Sequence, residues 1–198
     1  FISNIPKNVN VRPLRLLIQV LRTNLLTCDK IAASLDEELQ MVVNYASLRH
    51  ETNPFLPLPV YDIAKDVDLS SMIPSMIIQI PVENALKHAF VGMEETSLKP
   101  SLTVKIWIED YMLRIDVIDN GCGGVGAANS RKKVNSAVST GTGLRILNST
   151  IEMLNAANKQ KIYFIMHSNN NTDAEDDANR GTIVSIGVPC EYNFDVFQ

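Results

Sequence analysis

Apolar residues recur along this chain with two different periods, and the switch between them outlines the fold. Over residues 12–50 the period is helical. Leu14, Leu17, Ile18 and Leu21 fall at i, i+3, i+4 and i+7, and Leu39, Val42, Val43 and Ala46 form a second stripe. Pro13 suits the first turn of a helix, where a missing N–H removes no bond. Ser34-Leu35-Asp36-Glu37 has the spacing of a capping box. These signals predict two amphipathic helices in a hairpin, whose stripes must be buried against the rest of the chain or a second subunit. The proline-rich run Asn53-Pro54-Phe55-Leu56-Pro57-Leu58-Pro59 ends the helices and marks a boundary. The division expected is a helical hairpin over 1–52 and a second unit over 53–198.

Beyond that boundary, residues 73–90 read as a helix containing Pro81. An interior proline costs about 3 kcal/mol, so a kink or local break is expected there. The period then changes to two. Leu102, Val104, Ile106 and Ile108 alternate with polar or amphipathic residues, as do Leu113, Ile115 and Val117. A short turn at 109–111 makes them an antiparallel hairpin. Residues 144–155 read as a helix, and 161–167 and 182–188 as two more strands. The stretch 168–181, rich in Asn and Asp, reads as a mobile solvated loop.

Composition changes this picture by exclusion. At 198 residues with 45% hydrophobic content, the chain can bury one sizeable core with a helical appendage. A net charge of −4 gives no nucleic-acid footprint. Cys28, Cys122 and Cys190 are odd in number and widely spaced, which argues against a disulfide framework or a zinc site and fits a reducing cytoplasm. No apolar run approaches the roughly 20 residues that span a bilayer. The chain opens at Phe1 rather than Met, so a piece of something longer is expected, with any membrane or sensory segment upstream.

Three polar blocks carry the candidate chemistry. In the first, a helix would turn Val82, Ala85, Leu86 and Ala89 to one face and Glu83, Asn84, Lys87 and His88 to the other. An Asn oxygen beside phosphate oxygens suits magnesium, a hard cation that keeps several waters. Lys87 and His88 supply charge or donors, and Glu83 a general base. Taken alone, such a helix is more simply an amphipathic surface helix. In the second block, Asp119 ends an apolar strand before glycines at 121, 123 and 124. A carboxylate there can accept from the exocyclic amine of adenine, and glycine lets backbone lie close to a flat base. Alone, this block is more simply a strand-ending turn. In the third, Gly141-Thr142-Gly143-Leu144 opens a helix, whose free N–H groups favour an anion. Residues 125–140 between the last two blocks, with Arg131-Lys132-Lys133, read as a flexible lid or a plain basic loop.

In series, the blocks resemble the N, G1 and G2 boxes of sensor histidine kinases of the autolysin-sensor type. Ile73-Pro74-Ser75-Met76-Ile77-Ile78-Gln79 leading into the Glu83-Asn84 block is similar to that family's segment, as are Val117-Ile118-Asp119-Asn120-Gly121-Cys122-Gly123 and Gly181-Thr182-Ile183-Val184-Ser185-Ile186. Leu35-Asp36-Glu37-Glu38-Leu39 with Asn44-Tyr45 resembles its upstream helix, so the likeness covers roughly 30–190. It implies the α/β (α+β) two-layer sandwich of the Bergerat-type ATPase fold, with helices on one face of a mixed sheet, as in gyrase, the heat-shock chaperone and the mismatch-repair ATPase. By the resemblance, Asn84 holds magnesium, Lys87 and His88 lie near phosphates, Asp119 reads adenine, and Gly121, Gly123, Gly141 and Gly143 shape the pocket and lid, with Thr142 and Leu144 in the G2 box. ATP and Mg2+ are the implied ligands, and the activity is phosphoryl transfer to a histidine and on to a response-regulator aspartate. A homodimer through the N-terminal helices and a cytoplasmic position below a membrane anchor follow from the same likeness.

Two departures matter. The proline of the N-box segment stands one place late, at Pro81. Where the family carries its phosphoacceptor histidine, the nearest match is Ile5-Pro6-Lys7-Asn8-Val9-Asn10, with Lys7 at that position; His50, His88 and His167 lie in other contexts. A degenerate, non-catalytic nucleotide-binding module is therefore the alternative. A chaperone- or topoisomerase-type ATPase is a third reading, disfavoured by the upstream helices.

Overall fold

A computed structural model describes residues 12–27, 30–121, 142–170 and 180–195. Helix α1 (Arg12–Thr27) and helix α2 (Leu35–Thr52) pack against each other as the predicted hairpin, and Arg12 of α1 pairs with Glu51 of α2 at 3.0 Å. Ser34 caps α2 with the predicted box: its hydroxyl accepts from the Glu37 N–H, and the Glu37 carboxylate accepts from the Ser34 N–H. The short strand β1 (Ala32–Ser34) fills the connection and pairs antiparallel with β3 (Met72–Pro74).

The main sheet has the order β2-β4-β5-β7-β6, built from β2 (Val60–Ile63), β4 (Leu102–Glu109), β5 (Met112–Asp119), β6 (Tyr163–Asn170) and β7 (Arg180–Pro189). Only β2 runs parallel to its neighbour, so the sheet is mixed. The alternation read from sequence sets the register. Val104, Val117 and Val184 form one cross-strand row, and Ile106, Ile115 and Ile186 the next. Both rows face helices α2, α3 (Gln79–Asn84) and α4 (Thr142–Ala157), which contribute Leu35, Val42, Val82, Leu147 and Leu154 to the same core. At about 25 cal/mol per Å2 of apolar surface removed from water, burial of this face is what holds the layers together. The outer face carries polar and aromatic rows. Lys105 lies 5.3 Å from the Trp107 ring, and Arg114 lies 5.2 Å from the Tyr163 ring and donates to its hydroxyl. This is the two-layer α+β sandwich that the resemblance implied.

The β4–β5 turn is as tight as expected, with Asp110 and Tyr111 at φ of 51° and 59°, the left-handed pair of a two-residue hairpin turn.

The structure departs from several expectations. Residues 73–90 are not one helix. Met72–Pro74 is a strand, a turn follows, and α3 begins only at Gln79. Pro81 therefore sits in the first helical turn, where no N–H has an intrahelical partner, so it removes no bond of the helix. Of the two covers expected for the α1 stripe, the described residues of the chain do not supply one: Leu14, Leu17, Ile18 and Leu21 are all exposed. In α2 the inward face is Leu35, Glu38, Leu39, Val42 and Ala46, whereas Val43 points outward. The strands flanking 168–181 reach further than predicted, through Asn170 and from Arg180. The rest of that loop, the 125–140 lid, and Lys7, Gly123 and Gly141 lie outside the described residues.

Candidate functional site

The site starts from the pleat of β5. Leu113, Ile115 and Val117 point inward, and the next inward position is Asp119. The row that should end in another aliphatic residue ends instead in a carboxylate that is only 8% exposed. Asp119 Oδ1 accepts from the backbone N–H of Gly121 at 2.9 Å and of Thr182 at 3.3 Å. Burial pushes its pKa up, and those two backbone donors oppose the rise. Asn120 is used differently: its side chain holds Lys99 and Ser101 ahead of β4.

Two glycines bring backbone close at this point. A Cβ built on Gly121 would lie 2.2 Å from the Ala89 carbonyl oxygen. One on Gly181, at φ 124°, would lie 1.8 Å from the Asp119 carbonyl oxygen. Neither position has room for a side chain, so glycine is required by contact at both and by conformation at Gly181. Ala89 closes a π turn (Ala85–Ala89) that continues α3. Such wide turns concentrate at functional sites. Gly121, the first glycine of the G1 block, therefore packs on the C-terminal end of the N-box helix. The other end of that helix meets the G2 segment, since a Cβ on Gly143, in the first turn of α4, would touch the Ile80 side chain at 3.8 Å. Leu144 of the same turn packs against the core, and Thr142 is exposed. The three blocks, about 60 residues apart at their extremes, converge along one helix.

On that helix the predicted two faces separate cleanly. Val82, Ala85, Leu86 and Ala89 are buried. Glu83 and Asn84 are half-buried, and Lys87 and His88 exposed. Glu83 is held from both sides, one carboxylate oxygen accepting from Gln79 Nε2 at 2.8 Å and the other from Lys87 Nζ at 2.6 Å. Burial works against the Lys87 cation, but the Glu83 hydrogen bond and charge win, and its pKa is raised. His88 moves the other way: partial burial and then the neighbouring Lys87 lower its pKa. Among the described residues no group of three His, Cys, Asp or Glu side chains could hold a metal ion. The donor set fits a magnesium ion only in the shared manner, with protein oxygens few and phosphate oxygens supplying the rest. For a flat base with an exocyclic amine the fit rests on the buried Asp119 carboxylate. An open groove along α4 is lined by Arg145, Ile146, Ser149, Thr150 and Met153, and Asp119 is not among its lining residues.

Sequence reasoning missed three residues that touch the N-box helix from α2: Glu38, Tyr45 and Arg49. Glu38 was detectable in principle, as a charge inside an apolar stripe between Leu35, Leu39 and Val42.

No family model matches the chain. It is similar to the sensor protein LytS of Staphylococcus saprophyticus, 34% identical over 110 residues, which are 54% of this chain and 17% of that protein. It is likewise similar to the LytS sensor protein of Enterococcus faecalis, 30% identical over 125 residues (62% and 20%), and to that of Bacillus anthracis, 26% identical over 180 residues (88% and 28%). The chain thus spans less than a third of the length of these relatives. Its fold is that of the histidine kinase domain from the Erythrobacter litoralis EL346 blue-light activated histidine kinase, with a TM-score of 0.50 at 16% identity, over 90% of this chain and 75% of that one. The resemblance read from the three boxes and the fold class are both borne out.

Proposed function

We propose that this chain is the catalytic part of a two-component sensor histidine kinase, which binds ATP with magnesium and passes the γ-phosphoryl group to a histidine and then to a response-regulator aspartate. The observation that carries the reading is the packing of Gly121 on Ala89. It sets the buried Asp119 carboxylate beside the helix that bears Asn84. Bound ATP-magnesium supplies the transferable phosphoryl group and the charge that neutralises it.

The chain's own residues do the positioning. Asp119 accepts from the adenine amine, and Gly121 lets the end of β5 lie against Ala89. By the resemblance, Gly123, Gly141 and Gly143, with Thr142 and Leu144, would shape the pocket and lid. Asn84 contributes one oxygen to the metal. Lys87, paired with Glu83, and His88 serve as phosphate-side donors. Glu83 orients the attacking group through the oxygen that Lys87 now holds. In this reading residues 1–52 form the helical hairpin region and 53–198 the nucleotide unit. The uncovered α1 stripe favours a homodimer through the N-terminal helices. No helix among the described residues is long and apolar enough to cross a membrane. In this reading the chain is a cytoplasmic part of a membrane-anchored sensor.

A second reading has one observation in its favour. Lys7 stands where the phosphoacceptor histidine is expected, and lysine does not replace imidazole as a relay nucleophile. The module would then bind nucleotide and signal through conformation alone. Incubation with γ-labelled ATP and magnesium separates the two: acid-labile label on the protein supports the kinase, and retained ATP binding without label supports the degenerate module. Failure to bind ATP at all would defeat both.

A further inference from the structure

Helix α2 lies against the N-box helix and grips it at both ends. Glu38 is fully buried on the apolar stripe of α2, where an aliphatic side chain would be cheaper to bury. Its carboxylate accepts from the backbone N–H of Met76 at 2.5 Å, of Ile78 at 3.3 Å and of Gln79 at 3.5 Å. These donors lead into α3, whose own N-cap residue, Ile78, offers no side-chain acceptor. The cap that other helices take from a neighbouring Ser or Asp comes here from a different helix, about 40 residues away. At the far end, Arg49 Nη2 donates to the Leu86 carbonyl oxygen at 3.3 Å, inside the π turn. Between the two, the Tyr45 ring lies 5.9 Å from Lys87 Nζ. The two contacts fix opposite ends of one short element, so they determine its position along its own axis as well as its tilt.

We propose that Glu38 and Arg49 are positioning residues for the nucleotide site: acting from α2, they set the register of the Asn84 helix and its π turn relative to Asp119. The inference rests on the nucleotide reading of that helix. It extends that reading by assigning the geometry of the phosphate side to the hairpin rather than to the sheet. Leu or Met at position 38 would fill the stripe, yet would leave three helix-entry N–H groups without an acceptor. The helix could then slide by a fraction of a turn while the core stayed apolar. Arg49 checks the same slide from the other side, because Leu86 O moves away from it as the helix shifts.

The test combines amide hydrogen exchange with titration of a non-hydrolysable ATP analogue and magnesium. It uses the whole chain as wild type, Glu38→Gln, Arg49→Met and Arg49→Lys. Exchange over residues 76–90 should rise about tenfold in the Gln and Met variants, with analogue affinity falling by a similar factor, as expected when one partner of a buried hydrogen bond is removed and the other is left unsatisfied. Amides of β4 and β5 should keep their protection, and Arg49→Lys should recover part of both losses. A uniform rise in exchange across the sheet would overturn the proposal, because that is loss of ordinary packing. Local exchange with unchanged affinity, or no change in either, would also overturn it. Should Glu38→Gln not fold, the Arg49 pair applies the same criteria at a half-buried position. Absence of analogue binding by wild type would defeat the nucleotide reading alone, and local against uniform exchange would still decide whether α2 sets the register.

Discussion

Leu14, Leu17, Ile18 and Leu21 of α1 and Leu35, Leu39, Val42 and Ala46 of α2 each mark one face of a helix, in two helices that pack on each other. The first set is 41–58% exposed and the second 0–9%. The α1 set is uninterrupted, whereas the α2 stripe contains a carboxylate, Glu38. Periodicity tells that a helix has a face to bury. It does not tell what covers the face, and the cleaner stripe is here the one that the chain itself leaves bare. The charged interruption marks the helix that does specific work, because a carboxylate survives in a core only where donors wait for it.

Truncations break or sharpen this contrast. Leu35→Ala, at a fully buried position, should cost about 4 kcal/mol in urea unfolding, the upper part of the range for such a cavity. A cost near that of a surface change would show that α2 is not part of the core. The Glu38 carboxyl is pushed up to about 7, chiefly by burial, with the charge of Glu37 adding to the rise and the Met76, Ile78 and Gln79 N–H groups opposing it. The folded chain therefore holds this proton after the unfolded chain, whose carboxyl titrates at an ordinary 4.5, has released it. Its contribution is full below the unfolded pKa and is lost as pH rises to about 7, a decline of about 3 kcal/mol. Asp119 slopes in the same direction, so the measurement is the difference between wild type and Glu38→Gln, in which the Glu38 part of the slope should vanish. Ser34→Ala should cost about 1 kcal/mol by removing the cap of α2. Smallest is Leu17→Ala, within about 0.5 kcal/mol for the isolated chain. Its informative readout is sedimentation: if α1 is a dimer face, Leu17→Asp weakens self-association, and an unchanged profile removes that proposal.

The sheet was legible because its rows obey one rule. Val104, Ile106, Ile115 and Val117 face a core and their neighbours do not, so a period of two sufficed. The capping box of α2 was legible for a similar reason, since both of its bonds are local. What escaped was set by distant partners. Strand β3 at Met72–Pro74 is three residues long and exists because β1 lies beside it, and β2 is four residues on the sheet edge. Neither is long enough to establish a period. The start of α3 was misplaced because its cap is Glu38, which nothing near Gln79 in sequence announces. For the site, the residue types at Asp119, Gly121 and Asn84 pointed to a chemistry. The contact that joins two of the blocks, Gly121 on Ala89, is a backbone approach that only the folded chain displays.

The central claim is that the three blocks share one nucleotide cleft. It is tested most directly by calorimetric titration of an ATP analogue, with and without magnesium, into wild type, Asp119→Ala and Asn84→Ala. The account predicts that Asp119→Ala loses binding altogether, and that Asn84→Ala keeps the metal-free affinity of wild type but loses its enhancement by magnesium. The same affinity in all three proteins, with magnesium and without, would contradict it.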